Sequence, residues 1–213
     1  MDKIMCLPLG ALAANCYIIP ADGGKVIIVD PASTGEVMAI LDTHELELGA
    51  IIITHGHFDH CAGAAALHEQ TGAPIYAPDL DLDMFQSSDK SWAWFMSGTP
   101  FTPITPDHLF RDGEEFSLFG TDFLALNAPG HTAGSCLLLC DKWDCIFTGD
   151  VIFQGSVGRT DGYSGSAAQM QATLKKIGEI EHNYTLLCGH GDPTDINTEK
   201  RTNPYLLEVR GKM

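Results

Sequence analysis

The stretch Ile51-Ile52-Ile53-Thr54-His55-Gly56-His57-Phe58-Asp59-His60 decides the fold. Three consecutive isoleucines read as a buried strand, and they run straight into four residues with metal-binding side chains. Four coordinating side chains in six positions are costly to bury without a cation to bond them. Three further candidates follow, each closing a short apolar run beside a glycine. His131 ends Pro129-Gly130-His131 after Phe123–Leu126. Asp150 ends Thr148-Gly149-Asp150 after Cys145–Phe147, and His190 ends Cys188-Gly189-His190 after Tyr184–Leu187.

Spacing assigns the seven to two ions. Residues two apart at a strand exit point the same way, so His55 and His57 can reach one metal. Gly56 would let the backbone bend between them. Asp59 and His60 fall where the chain turns into a helix, and their side chains diverge toward a second ion. If the strand ends share one rim, His131 completes the first site, His190 the second, and Asp150 bridges them. Imidazole with carboxylate suits zinc, and also iron or manganese. Two such ions about 3.5–4 Å apart can hold a hydroxide between them, bound water having its pKa lowered from ~15.7 to near 7. The reaction class is metal-assisted hydrolysis, with Asp59 taken as catalytic as well as ligating. His44, His68, His108 and His182 stand outside these clusters and read as structural.

Working outward, Val26–Val29 is a strand closed by Asp30-Pro31, and Ser33 or Thr34 caps a helix carrying Val37, Ile40 and Leu41. Ala62 to Gln70 reads as a helix ended by Gly72, Pro74–Tyr76 as a strand, and Asp79–Phe85 as a short helix. Gln86 to Pro106 holds three prolines, two tryptophans, Phe95, Met96 and Phe101 without periodicity. It reads either as a lid or binding loop, or as an irregular surface segment burying its own aromatics. From His108 the pattern turns to short strands, then a Gly-rich loop over Gln154–Gly165 and an amphipathic helix over Ser166–Ile177. The tail from Asn197 to Arg210 is helical with a break at Pro204. Strands come in two batches with helices nearby, which fits the layer order helix, sheet, sheet, helix.

Composition narrows the function. With 213 residues and 45% hydrophobic content the chain can form one domain with a substantial core. A formal net charge of −16 argues against nucleic acid as the main partner, since phosphate binding needs a basic footprint. Seven cysteines, with no Cys-x-x-Cys pair, suit a reducing cytoplasm. Cys61 and Cys188 border the ligand clusters but read as packing residues. The apolar start ending at Cys16 looks like a lipoprotein signal, yet Asn15 and the early Pro8 and Gly10 argue for two mature strands joined by a turn. No run reaches membrane-spanning length. No Gly-x-Ser-x-Gly elbow occurs near a strand end, which disfavours a serine hydrolase.

His55-Gly-His-Phe-Asp-His60, Pro129-Gly-His131, Gly149-Asp150 and Gly189-His190, in that order, resemble the metallo-β-lactamase superfamily over nearly the whole chain. The resemblance implies an αββα sandwich with two metals at one edge of the sheets. Asn15-Cys-Tyr17, Gly158-Arg-Thr-Asp161 and Arg201-Thr-Asn-Pro204 are similar to the small bacterial glyoxalase II-like hydrolases, which cleave thioesters such as S-lactoylglutathione. Retention of His131 and His190 resembles these more than the zinc β-lactamases that use cysteine as a ligand. The chain ends about two dozen residues after His190, so the helical domain that grips glutathione in longer members is expected to be absent. Residues 1–213 are then one domain. Recognition of a small-molecule substrate would fall to Arg159, whose guanidinium can bind a carboxylate bidentately, and to Tyr163. A structural Arg159 paired with Asp161 is the other reading. The alternative function is a persulfide dioxygenase, which resembles this fold but uses one iron; His57, His131 and Asp150 could form such a set.

Overall fold

Alternate residues of the central strands enter different apolar layers. Along Lys25–Val29, Val26 and Ile28 join one layer and Ile27 and Val29 another. Along Cys145–Gly149, Phe147 faces that second layer and Ile146 a third. Side chains of a strand alternate between faces, so two sheets covered on both sides give three apolar layers between four layers of structure. This computed structural model describes residues 3–96 and 101–211.

The first sheet has the order β1 (Met5–Leu9), β2 (Ala14–Pro20), β3 (Lys25–Val29), β4 (Glu47–Ile52), β5 (Ile75–Pro78) and β6 (His108–Phe110). Its first three strands are antiparallel and β3 to β6 are parallel. Parallel neighbours need crossovers. α1 (Thr34–Thr43) links β3 to β4, and α2 (Phe58–Cys61) with α3 (Ala64–Thr71) links β4 to β5. Val37, Leu41, Ala64 and Leu67 cover the outer face. α4 (Ala93–Met96) lies in the connection to β6.

The second sheet takes β7 (Glu114–Leu118), β8 (Thr121–Asn127), β9 (Cys136–Cys140), β10 (Cys145–Gly149), β13 (Thr185–Cys188) and β14 (Thr194–Asp195), with β7 and β14 at its edges. β11 (Ile152–Phe153) and β12 (Ser156–Val157) form a separate hairpin. α5 (Ala167–Glu179) and the pair α6 (Ile196–Thr202) and α7 (Pro204–Val209) cover the outer face with Met170, Leu174, Ile177, Ile196 and Leu206. Tyr17, Ile27, Ile52, Phe123 and Phe147 fill the space between the sheets. The expected αββα order is the observed one.

Three local expectations differ. The helix expected over Ala62–Gln70 begins at Ala64, as α3, and the separate short α2 precedes it; between them the Gly63 amide donates to Pro31 O at 2.8 Å. Asp79–Phe85 makes only one 3-10 turn, over Asp79–Asp81. Its buried Asp81 turns inward and accepts from neighbouring loops, as described below. The Gly-rich loop over 154–165 contains β12. Of the 86–106 segment, residues 97–100 lie outside the described residues. Among the described residues, no helix is long and apolar enough to cross a membrane.

Candidate metal centre

β4, β10 and β13 all finish at one rim of the sandwich, and the loop after β8 returns to it. The seven sequence candidates meet there. His57 Nδ1 faces His131 Nε2 at 2.7 Å, and His55 lies beside both with ring centroids 5.0 and 4.9 Å away. His60 Nε2 is 3.3 Å from His190 Nε2 and 3.6 Å from Asp59 Oδ2. Two donor trios result, His55–His57–His131 and Asp59–His60–His190, each within the span of one ion. Asp150 stands between them. Its Oδ1 is 3.3 Å from His60 Nε2, and its Oδ2 is 3.5 Å from His131 Nε2 and 3.7 Å from His190 Nε2.

Hydrogen bonds to the outer ring nitrogens leave the inner ones as lone-pair donors. His60 Nδ1 donates to Asp30 Oδ2 at 2.9 Å, and His131 Nδ1 donates to Arg159 O at 2.8 Å. Thr54 Oγ1 donates to Asp30 Oδ2 at 2.7 Å, so it accepts from His55 Nδ1 at 3.1 Å. Asp30 Oδ1 takes the Thr54 amide at 2.8 Å. Asp30 also lies within a third compact group with His55 and His60. Its oxygens are already spent on these donors, so this group orients the site and is not a third ion position.

Charge and burial favour a cation here. His55 Nε2, His57 Nε2 and Asp150 Oδ1 are buried without hydrogen-bond partners among the described residues. Burial, and then the neighbouring His131 ring, pushes His57 down to about 3, and His55 is held well below its ordinary range chiefly by burial. Both imidazoles are therefore neutral donors. His60 goes the other way: burial lowers it, but the Asp150 and Asp59 carboxylates outweigh burial and raise it well above its ordinary value. The Asp150 and Asp59 carboxylates thus favour positive charge among them, which a divalent cation would supply in place of a proton on His60. The donor set fits divalent metal.

The glycines in the motifs serve close approach. A Cβ on Gly56 would lie 2.6 Å from Met84 Cβ, so packing, and not the bend expected of it, excludes a side chain. A Cβ on Gly189 would lie 2.2 Å from Asp150 Oδ1. The four histidines read as structural lie elsewhere: His68 bonds Ala73 O, His108 pairs with Glu114, His182 with Asp144, and His44 follows the C-terminus of α1.

Of the two candidate substrate contacts, Arg159 sends Nε and Nη2 to the two oxygens of Asp161 at 2.7 and 2.9 Å. Tyr163 OH donates to Asp83 Oδ2 at 2.6 Å, and Lys90 lies over its ring. Both side chains are exposed near the rim. Cys61 and Cys188 are buried packing residues.

This architecture has clear counterparts. The metallo-beta-lactamase superfamily model matches residues 9–190, a span that contains all seven candidates. The chain belongs to this superfamily. The hydroxyacylglutathione hydrolase GloC of Haemophilus influenzae is 33% identical over 96% of this chain and 98% of that protein. The crystal structure of the B3 metallo-beta-lactamase BLEG-1 is 29% identical with a TM-score of 0.89, covering 96% of this chain and 99% of that one. TTHA1623, solved in a di-iron-bound form, is 32% identical with a TM-score of 0.83 over 94% and 99%. The protein is accordingly a metal-dependent hydrolase of the metallo-beta-lactamase superfamily.

Sequence reasoning missed the roles of the residues that hold this superfamily centre in place. Asp30 was legible only as a strand terminator. Asp81 takes the Gly56 and Gly134 amides at 2.8 and 2.7 Å and the Thr132 hydroxyl at 2.7 Å, so it ties the His55–His57 turn to the His131 turn. Asn15 Nδ2 donates to Cys188 O and Gly191 O at 2.9 and 2.8 Å, and Tyr17 OH donates to Cys188 O at 2.6 Å. The first sheet thereby grips the loop carrying His190.

Asp30 gives a direct test. Its backbone has φ 53°, a left-handed conformation that asparagine tolerates. Asp30→Asn should therefore keep the backbone while removing the charge and one acceptor. Zinc affinity should fall about 10–100-fold. Chelator-competition titration of the metal-stripped chain measures this, and unchanged affinity would show that Asp30 does not set the ligand geometry.

Proposed function

We propose that this hydrolase is a dinuclear thioesterase of glyoxalase II type, acting on S-lactoylglutathione or a similar small thioester. The observation that carries the reading is the placement of Asp150 between two complete donor trios. His55, His57 and His131 would hold one ion, Asp59, His60 and His190 the other, and Asp150 both. Zinc fits this set, and the di-iron form of TTHA1623 makes iron a second fit. The name of the GloC relative supports the substrate class. When bound, the two ions would supply a strong nucleophile at neutral pH and polarise the thioester carbonyl.

The remaining steps belong to the chain. Asp59 is the partly exposed carboxylate of the set, with Oδ2 3.3 Å from His190 Nε2. It orients the attacking water and accepts its proton. Oxygen adds to the acyl carbon, the carbon–sulfur bond breaks, and the thiolate leaves with that proton, giving acid and thiol. Trp92 stacks on His57, and Phe153 of the hairpin β11–β12 meets the His190 ring, so both wall the site. Residues 1–213 act as one domain in this reading, so the substrate is held at the rim. Seven unpaired cysteines support a cytoplasmic setting.

Elemental analysis with a thioester assay tests the reading. Close to two ions per chain and turnover of S-lactoylglutathione are expected, and Asp150→Ala should lose both ions and activity. One iron per chain, with oxygen uptake on a glutathione persulfide, would replace this function with the dioxygenase. At the rim, a substrate carboxylate would take the place of Asp161 on Arg159. Arg159→Ala should then raise KM for S-lactoylglutathione about tenfold, ~1.4 kcal/mol, and leave kcat nearly unchanged. Equal KM increases for an uncharged thioester would make Arg159 purely structural.

A further inference from the structure

One imidazole of the first trio is held differently from the rest. His55, His60 and His131 each give the outer ring nitrogen to a protein acceptor. His190 is partly exposed and can meet water there. His57 turns Nδ1 inward, and its Nε2 is buried without a partner among the described residues. A metal ligand normally has its ring plane fixed by a hydrogen bond on that outer nitrogen. Something else must fix His57.

Trp92 is in the position to do so. Its indole stacks on the His57 imidazole with ring centroids 4.8 Å apart and planes 21° from parallel. The Trp92 ring is itself fixed. The Arg159 guanidinium carbon lies 4.6 Å from its centroid. A Cβ on Gly162 would come within 2.8 Å of Trp92 Cζ2, so only glycine leaves room for the indole. The backbones are joined beside the stack, where the Phe58 amide donates to Ser91 O at 3.0 Å. Trp92 has φ 64°, a left-handed conformation that a bulky residue adopts only when its surroundings hold it there.

We propose that Trp92 is the positioning residue of His57, with ring stacking taking the place of the missing hydrogen bond. The inference rests on the reading of His57 as a metal ligand. The physics favours the metal-bound state. A cation on Nδ1 draws electron density from the imidazole, and an electron-poor ring is attracted to the electron-rich face of indole. Trp92 would then raise metal affinity at the first site and leave the second, where His60 and His190 lie, unaffected. The aromatic segment after Gln86 thereby has a task at its start: it forms a wall of the first site and orients a ligand.

The test uses the full chain stripped of metal and titrated with zinc against a chromogenic chelator. Trp92→Ala should weaken one of two zinc sites about tenfold and leave the other within about twofold. Trp92→Phe keeps an aromatic face and should recover most of that loss. In the wild-type chain, tryptophan emission should change as the weakened site fills, and that change should be missing in Trp92→Phe, which retains Trp94 and Trp143. Wild-type affinity at both sites in Trp92→Ala would overturn the proposal. So would an equal loss at both sites, which marks a merely structural role. Should Trp92→Ala fail to fold, the emission comparison decides: the same change in the wild type and Trp92→Phe overturns the proposal. A wild-type chain that binds no zinc would remove the metal reading, and this inference with it.

Discussion

Seven lone-pair donors face one another across a gap of a few ångströms at the rim of the sandwich, and the surrounding structure is organised by that constraint. Nitrogens and carboxylate oxygens at 2.7 to 3.7 Å are not left in the dark of a protein interior without a positive charge among them. The Asp150 and Asp59 carboxylates raise His60 well above its ordinary value, which marks this spot as one that favours positive charge. Each neighbouring device keeps the inward donors bare and correctly aimed. Asp30 takes the outer proton of His60 directly and that of His55 through Thr54. The Arg159 carbonyl takes that of His131. Gly189 and Gly56 clear backbone and side-chain volume from around them.

The two sheets share the centre unequally. His55, His57, Asp59 and His60 come from one short stretch after β4, whereas His131, Asp150 and His190 arrive from three separate turns of the second sheet. The centre therefore exists only when the sheets are closed on each other. Apolar packing through Tyr17, Ile52 and Phe147 supplies the closure. Asn15 and Tyr17 make it specific, since their bonds to Cys188 and Gly191 place the His190 loop against the first sheet. Binding an ion that touches both sheets would add its binding free energy to that closure.

The ligands were legible because polar, coordinating residues interrupt apolar strands at their ends, a pattern with few other physical explanations. The layer order was legible from the two batches of strands with helices nearby. What escaped notice acts through tertiary contact. Asp81 lies in Asp79-Leu80-Asp81-Leu82-Asp83, where nothing local separates it from Asp79 and Asp83; only the approach of Gly56, Thr132 and Gly134 gives it donors. Asp30 precedes a proline and looks like an ordinary turn residue. The short helix expected over Asp79–Phe85 is a 3-10 turn over Asp79–Asp81 followed by further turns, with the Met84 and Phe85 amides both donating to Asp81 O. Arg159 was read as either a substrate contact or a partner of Asp161, and its guanidinium lies on Asp161.

The most direct test of the account is anomalous diffraction from crystals of the zinc-loaded chain, which locates each ion and its ligands. Two zinc peaks should appear about 3.5–4 Å apart. One should sit among His55 Nε2, His57 Nδ1 and His131 Nε2, the other among Asp59, His60 and His190, with Asp150 touching both. A single peak, or an ion bound through Asp30, would contradict it.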